Sequence, residues 1–122
     1  MSQILTAGTT RVLVLDDDGA PLSSTQDFLD VIGQLWGEAE PTSCVAIPVS
    51  RLAEEFFELR TGLAGEALQK FVNYRVQVAV VGDVSRFVTA SRALADFVRE
   101  SNEGTHVWFC ANLDELSTRL TA

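Results

Sequence analysis

Apolar residues follow two rhythms along this chain. Short, nearly unbroken runs occur at Arg11–Leu15, Cys44–Val49, Val76–Val81 and His106–Ala111. Runs this short, bounded by turn formers, read as strands, and the near-continuous Val76–Val81 reads as one covered on both faces. Between them apolar residues recur at helical spacing. Phe28, Ile32 and Leu35 with Leu29 and Trp36 form one stripe, and Leu63, Ala67, Leu68 and Phe71 a second. Phe87, Leu94 and Val98 with Phe97 form a third, and Leu113, Leu116 and Leu120 a fourth. Each is the buried face of an amphipathic helix. Leu52–Leu59 adds a helical turn or two. Gln3–Thr6 leads through the turn Ala7-Gly8-Thr9 into the first run, which makes an opening β-hairpin.

The punctuation agrees with this order. Ser24, three residues before Asp27, is an N-cap signal, and Gly37 can end that helix. Asn102 and Gly104 end the third stripe, and Asn112 with Glu115 resembles a capping box before the fourth. Asp16–Ser24 reads as loop, and Pro48 argues for a strand end or a sheet edge. Strands alternating with helices from Cys44 onward imply βαβ units. The expected fold is α/β: a mixed, mostly parallel sheet of about five strands, with an opening hairpin and four or five helices on one or both faces. It forms one domain over residues 1–122, with Phe71, Val78, Val80, Leu94 and Phe97 in its central core.

Composition narrows the function classes. Seventeen acidic residues against nine Lys and Arg give a net charge of −8. The basic residues do not cluster, so nucleic acid and anionic membranes are not expected partners. No apolar run approaches the ~20 residues of a membrane span, and no leader pattern opens the chain, so a cytoplasmic location is expected. Cys44 and Cys110 both sit in apolar runs and read as core thiols. His106, the one histidine, has no neighbours at ligand spacing, so no metal is expected, and no cofactor.

Two segments carry candidate chemistry. Val12–Leu15 followed by Asp16-Asp17-Asp18 is similar to the opening of response-regulator receiver domains, whose acidic residues hold magnesium. The phospho-accepting Asp and the Lys of that chemistry are missing, since Val49-Ser50-Arg51 and Ala111-Asn112-Leu113 follow the relevant strands. The triplet therefore reads as a solvated acidic turn. The second segment is Glu58-Leu59-Arg60-Thr61-Gly62-Leu63-Ala64-Gly65-Glu66. A hydroxyl before a glycine at a helix start is either an ordinary cap or an anion site. The glycines admit a close ligand or partner backbone. No P-loop spacing is present.

Phe56–Phe71, Asn73-Tyr74-Arg75-Val76, Val81-Gly82-Asp83, Asp96–Asn102 and Val107-Trp108-Phe109 closely resemble an uncharacterised bacterial family, known only as domain of unknown function number 4180. The resemblance is firm from Phe56 to Leu120 and looser before it, and it implies no activity. A more distant resemblance is to the STAS domains of anti-sigma-factor antagonists, which share the order of elements. Their phosphorylated hydroxyl precedes a glycine at a helix start. Thr61 and Gly62 fall at that place, while Leu59 and Arg60 depart from the motif.

These readings leave two functions open. The first is a non-enzymatic regulatory or protein-interaction module. Thr61 would be its phospho-acceptor candidate, and Glu58, Arg60, Thr61, Gly62, Gly65, Glu66 and Asp83 its candidate surface. A protein partner or self-association as a homodimer is expected with it, and no catalytic residue is assigned. The alternative is a small-molecule or anion-binding domain, or a weak enzyme, with a pocket at the strand ends near Asp16, Arg60 and Asp83. Of the adjacent Phe56 and Phe57, one is expected at a surface or interface, since neighbours on a helix point apart.

Overall fold

The computed structural model describes residues 3–121; Met1, Ser2 and Ala122, the ends of the expected domain, lie outside them. Strands β1 (Gln3–Ala7) and β2 (Thr10–Val14) form the antiparallel hairpin. Gly8, at φ +60°, takes the first central place of its two-residue turn, where a II′ hairpin needs positive φ. Then come α1 (Thr25–Trp36), β3 (Cys44–Pro48), α2 (Glu54–Phe57), α3 (Leu63–Asn73) and β4 (Gln77–Val81). The chain continues through α4 (Ser85–Ala90), α5 (Arg92–Glu103), β5 (Val107–Cys110) and α6 (Leu113–Thr121). One mixed sheet runs β1-β2-β3-β4-β5, parallel after the hairpin.

Strand period sorts the side chains onto two faces. Leu13, Val45, Ile47, Val78, Val80 and Phe109 lie beneath α1, α3 and α5 in the larger core. Val12, Cys44, Ala46, Ala79, Trp108 and Cys110 face the other way, and Leu116 of α6 covers them. Sequential strand order explains the asymmetry. Right-handed crossovers that always step the same way put every connecting helix on one face. Only α6, which follows the last strand and packs on both β5 and β1, reaches the second face.

Local signals explain the boundaries. Ser24 and Asp27 form a full capping box at α1. Asn112 Oδ1 accepts from the Glu115 backbone N–H, and Glu115 reaches back to the N–H of Ala111. Pro48 ends β3: Leu15 N–H donates to the Ala46 carbonyl, and the next donor in that alternation would be Pro48, which has none. At the C-terminus of α3, Val76 N–H reaches the Phe71 carbonyl and Arg75 N–H that of Val72. This Schellman pattern puts Arg75 at φ +59°, where glycine is usual.

Four details depart from expectation. The third helical stripe is two helices, because Ser91 turns extended (φ −142°, ψ 113°) and its Oγ caps α5 by accepting from Leu94 N–H. Phe97 of that stripe is only half-buried, whereas Phe71, Val78, Val80 and Leu94 are buried. Trp36 closes the α1 stripe yet is 63% exposed, because its position lies past the end of the packed face. Phe56 and Phe57 are both buried, so neither is a surface residue. The single turn of α2 has neighbours on two sides: Phe56 packs on Phe28 (5.9 Å between ring centres) and Phe57 on Phe87 (4.0 Å).

Candidate functional site

Two segments that follow adjacent parallel strands face each other across a cleft of about 670 Å³. After β3 the chain runs through α2 and then a 3-10 turn, Leu59–Thr61, before Gly62 opens α3. After β4 it runs through α4 to the elbow at Ser91. Glu54, Phe57, Glu58, Leu59 and Arg60 line one wall, and Arg86, Phe87, Ser91 and Ala93 line the other.

The floor is a stacked column. The rings of Phe57 and Phe87 are 9° from parallel, and the Arg86 guanidinium carbon lies 4.1 Å from the centre of Phe87. Both partners sit close to the ring centre, so they occupy opposite faces. Glu54 Oε1 holds Arg86 Nη2 at 3.6 Å. That pair is exposed and adds at most ~1 kcal/mol to stability, but it fixes where the guanidinium points. Arg60 is exposed and makes no ion pair or side-chain hydrogen bond among the described residues. Its planar fork is open to a carboxylate or phosphate. Ser91 Oγ accepts from Leu94 N–H, which leaves the hydroxyl hydrogen to donate.

Thr61 shapes one wall without lining it. Its residue is exposed, but its hydroxyl lies 2.8 Å from the carbonyls of Glu55 and of Glu58, and it accepts from Leu63 N–H at 3.3 Å. It therefore ties the 3-10 turn back onto α2 and sets the orientation of Glu58 and Arg60. It is not the N-cap of α3. Gly62 holds that place at φ +78°, and a Cβ there would meet open space.

The remaining candidates lie elsewhere. Gly65 and Glu66 border a shallow hollow against α1, where Thr25 Oγ1 donates to Glu66 Oε2 at 3.1 Å. Asp83 accepts from Ser85 N–H at 2.8 Å, and its hydrogen bonds to Ser85 hold its carboxyl below the usual value. It borders a crevice between the ends of β4 and β5, where the chain leaves for opposite faces of the sheet. Asp16 borders hollows beside the ends of β2 and β3. Asp16, Arg60 and Asp83 thus border different hollows and not one pocket. The acidic loop is tied down through its backbone: Arg51 donates to the carbonyls of Asp16 and Ala20 at 3.0 Å.

Burial pushes the Cys44 thiol up to about 12 and also raises that of Cys110, so neither is a thiolate near neutrality. Both are free. The register sets them two strands and four residues apart, beyond disulfide reach. Among the described residues no group of three or more His, Cys, Asp or Glu side chains could hold a metal ion. No helix among them is long and apolar enough to cross a membrane.

Sequence reasoning missed Glu54, Phe57, Arg86, Phe87 and Ser91. The signal for Ser91 was present, as a hydroxyl residue three places before the apolar Leu94. The pairing of two walls some thirty residues apart had none.

A family description, domain of unknown function DUF4180, matches residues 7–120. The chain belongs to the DUF4180 family. The match reaches from the hairpin through α6, so both walls of the cleft lie within the DUF4180 domain. Neither the curated proteins nor the solved structures include a significant match.

Proposed function

We propose that this DUF4180 chain is a non-enzymatic interaction module. Its working surface is the cleft between Glu54–Arg60 and Arg86–Ala93, and it engages an acidic group on a protein partner. The observation that carries the reading is Arg60, an uncommitted guanidinium at the rim of an aromatic-floored cleft, in a chain with almost twice as many acids as bases. Arg86, held in place by Phe87 and Glu54, supplies a second guanidinium. An acidic group between two such forks gains charge-assisted hydrogen bonds while an apolar neighbour rests on Leu59.

The test is site-specific photo-crosslinking in native lysate, with the crosslinker in place of Glu58. A discrete crosslinked partner should appear, and Arg60→Glu should remove it while leaving the thermal midpoint unchanged. The same bands with and without Arg60→Glu would refute the reading.

A second reading is a STAS-like switch at Thr61 in a cytoplasmic bacterial regulator. The order of elements and the exposure of Thr61 favour it. The commitment of its hydroxyl to two carbonyls and an N–H weighs against it. A phosphate there would remove the hydrogen those carbonyls share.

A further inference from the structure

The five-stranded sheet has two edges, β1 and β5, and they are treated differently. At β5 the outward N–H of Phe109 is taken by Asn102 Oδ1 at 2.7 Å, so an added strand would have to displace that side chain. At β1 the outward backbone groups have no partner among the described residues. The hairpin register says which groups these are. Ala7 and Thr10 close a two-residue turn and exchange both backbone hydrogen bonds, and the exchange recurs at every second pair, Leu5 with Val12 and Gln3 with Val14. The same alternation appears on the far side of β2, where Leu15 N–H points to β3 and donates to the Ala46 carbonyl. The N–H and C=O of Ile4 and Thr6 therefore point away from the sheet.

Such an edge is a template for another strand, and native sheets blunt it with Pro, with charge or with a bulge. β1 carries none of these. Gln3–Ala7 holds no Pro and no charged residue, and its register with β2 runs without a bulge. Ile4 is half-buried on the face of the larger core and Leu5 on the face that α6 covers, so helix packing reaches β1 from the faces and leaves its edge open.

We infer that β1 pairs antiparallel with β1 of a second copy, about a two-fold axis through Leu5, joining two five-stranded sheets into one. The register centred on Leu5 uses every outward group of the strand. Ile4 of each copy lies opposite Thr6 of the other, and each such pair exchanges two hydrogen bonds, four in all. A register centred on Ile4 or on Thr6 carries the other residue opposite a position outside Gln3–Ala7. The Leu5 register also sets Leu5 against Leu5 of the other copy, in the non-hydrogen-bonded arrangement where side chains approach closest. A second copy suits this edge better than an unrelated strand for two reasons. It repeats the same donors and acceptors in the order the two-fold needs. It also brings no charge to the seam, although each chain carries −8 overall. With the β5 edge blocked, the pairing closes at two copies and does not propagate. Main-chain hydrogen bonds supply its affinity, as in other strand additions.

Sedimentation velocity on the whole chain, from micromolar to millimolar, should show a monomer–dimer equilibrium. Amide exchange of Ile4 and Thr6 should slow as the dimer forms, while that of Leu5, bonded within the hairpin, stays as it is. Thr6→Pro removes an outward N–H that the hairpin does not use, at a place where an edge strand accepts proline. It takes two of the four bonds from the dimer and should weaken association about 100-fold, at roughly tenfold per bond. Circular dichroism separates that loss from a lost fold, and a cysteine pair tests the register without proline. Leu5→Cys should oxidise to a disulfide-linked dimer, since residues paired there stand ~4.5 Å apart at Cα, within disulfide reach. Thr6→Cys, facing Ile4, should not. The native Cys44 and Cys110 are buried and do not compete. A monomer at every concentration, a folded Thr6→Pro variant that dimerises as wild type does, or cross-linking at Thr6→Cys in preference to Leu5→Cys overturns the inference.

Discussion

Asn102 is the most informative single residue to change. In β5 the N–H groups of Trp108 and Cys110 turn inward to β4, and those of Val107 and Phe109 turn outward, toward what would be an open sheet edge. The Phe109 N–H does not meet water, because Asn102 Oδ1 accepts it at 2.7 Å. The backbone carbonyl of Asn102 in turn accepts from Arg119, whose guanidinium lies 4.9 Å from the Trp108 ring centre. Asn102→Ala removes the acceptor and leaves the amide of a residue only 7% exposed without a partner. A lost hydrogen bond alone is worth ~1 kcal/mol, and an orphaned buried donor raises the cost to about 1–3 kcal/mol. The end of α5 contributes little of its own, so most of the loss belongs to that one bond. Urea titration should show a lower midpoint at unchanged slope, and the Phe109 amide should exchange faster than its neighbours in β5. Asn102→Asp keeps the acceptor and should recover most of the difference above the titration range of a carboxyl. An unchanged midpoint together with unchanged exchange at Phe109 would show that water or a neighbouring group seals the edge instead.

Further outcomes follow from the same reasoning. Thr61→Ala should cost roughly 0.5–2 kcal/mol through loosening of the α2 corner, and Thr61→Glu should cost no less; a Thr61→Glu variant that changes partner binding at full stability would favour the switch. Cys44 and Cys110 should resist alkylation in the folded chain and take two additions by intact mass once denatured, without reductant. Phe97→Ala should cost about 1.5–3 kcal/mol by denaturant unfolding, below the range for a fully buried ring; a larger loss would mean Phe97 is more enclosed than its half-exposure indicates. Asp27 has its carboxyl lowered below 3.8, chiefly by the Ser23 backbone N–H, so its stabilisation is complete above that value and lost as pH falls through the lowered one. Asp27→Asn should flatten that acid limb of a stability–pH curve, and an unaltered limb would show that the capping box is not what titrates.

Much of the architecture was legible because it is written locally. Phe28, Ile32 and Leu35 repeat at the helical period, and Val76–Val81 is apolar but for Gln77 because β4 has β3 and β5 beside it and helices on both faces. Ser24 and Asp27 announce α1 within three residues. The parts that escaped depend on distant neighbours. Nothing around Phe56-Phe57 tells that Phe28 covers one ring and Phe87 the other. Helical spacing carried Trp36 inward because a stripe does not reveal where the helix it packs against ends. The site divided in the same way: Glu58 and Arg60 were found through their own segment. Arg86, Phe87 and Ser91, the opposite wall, were hidden behind a kink that a single serine creates.

The order of the sheet also sets how the chain behaves as it is made. Each strand lies beside the one before it, so the sheet can grow by adding the newest strand to a standing edge, with short loop closures at every step. The helices of the larger core arrive in the same sequence and cover their face as they emerge. The face carrying Val12, Cys44, Ala46, Ala79 and Trp108 has no such escort. It stays open until Leu113–Thr121 has left the ribosome and α6 folds back across it. During that interval a greasy surface and two thiols face solvent at once. A nascent chain stalled before Leu113 is therefore the form of this protein most exposed to chaperones, to oxidants and to its own copies.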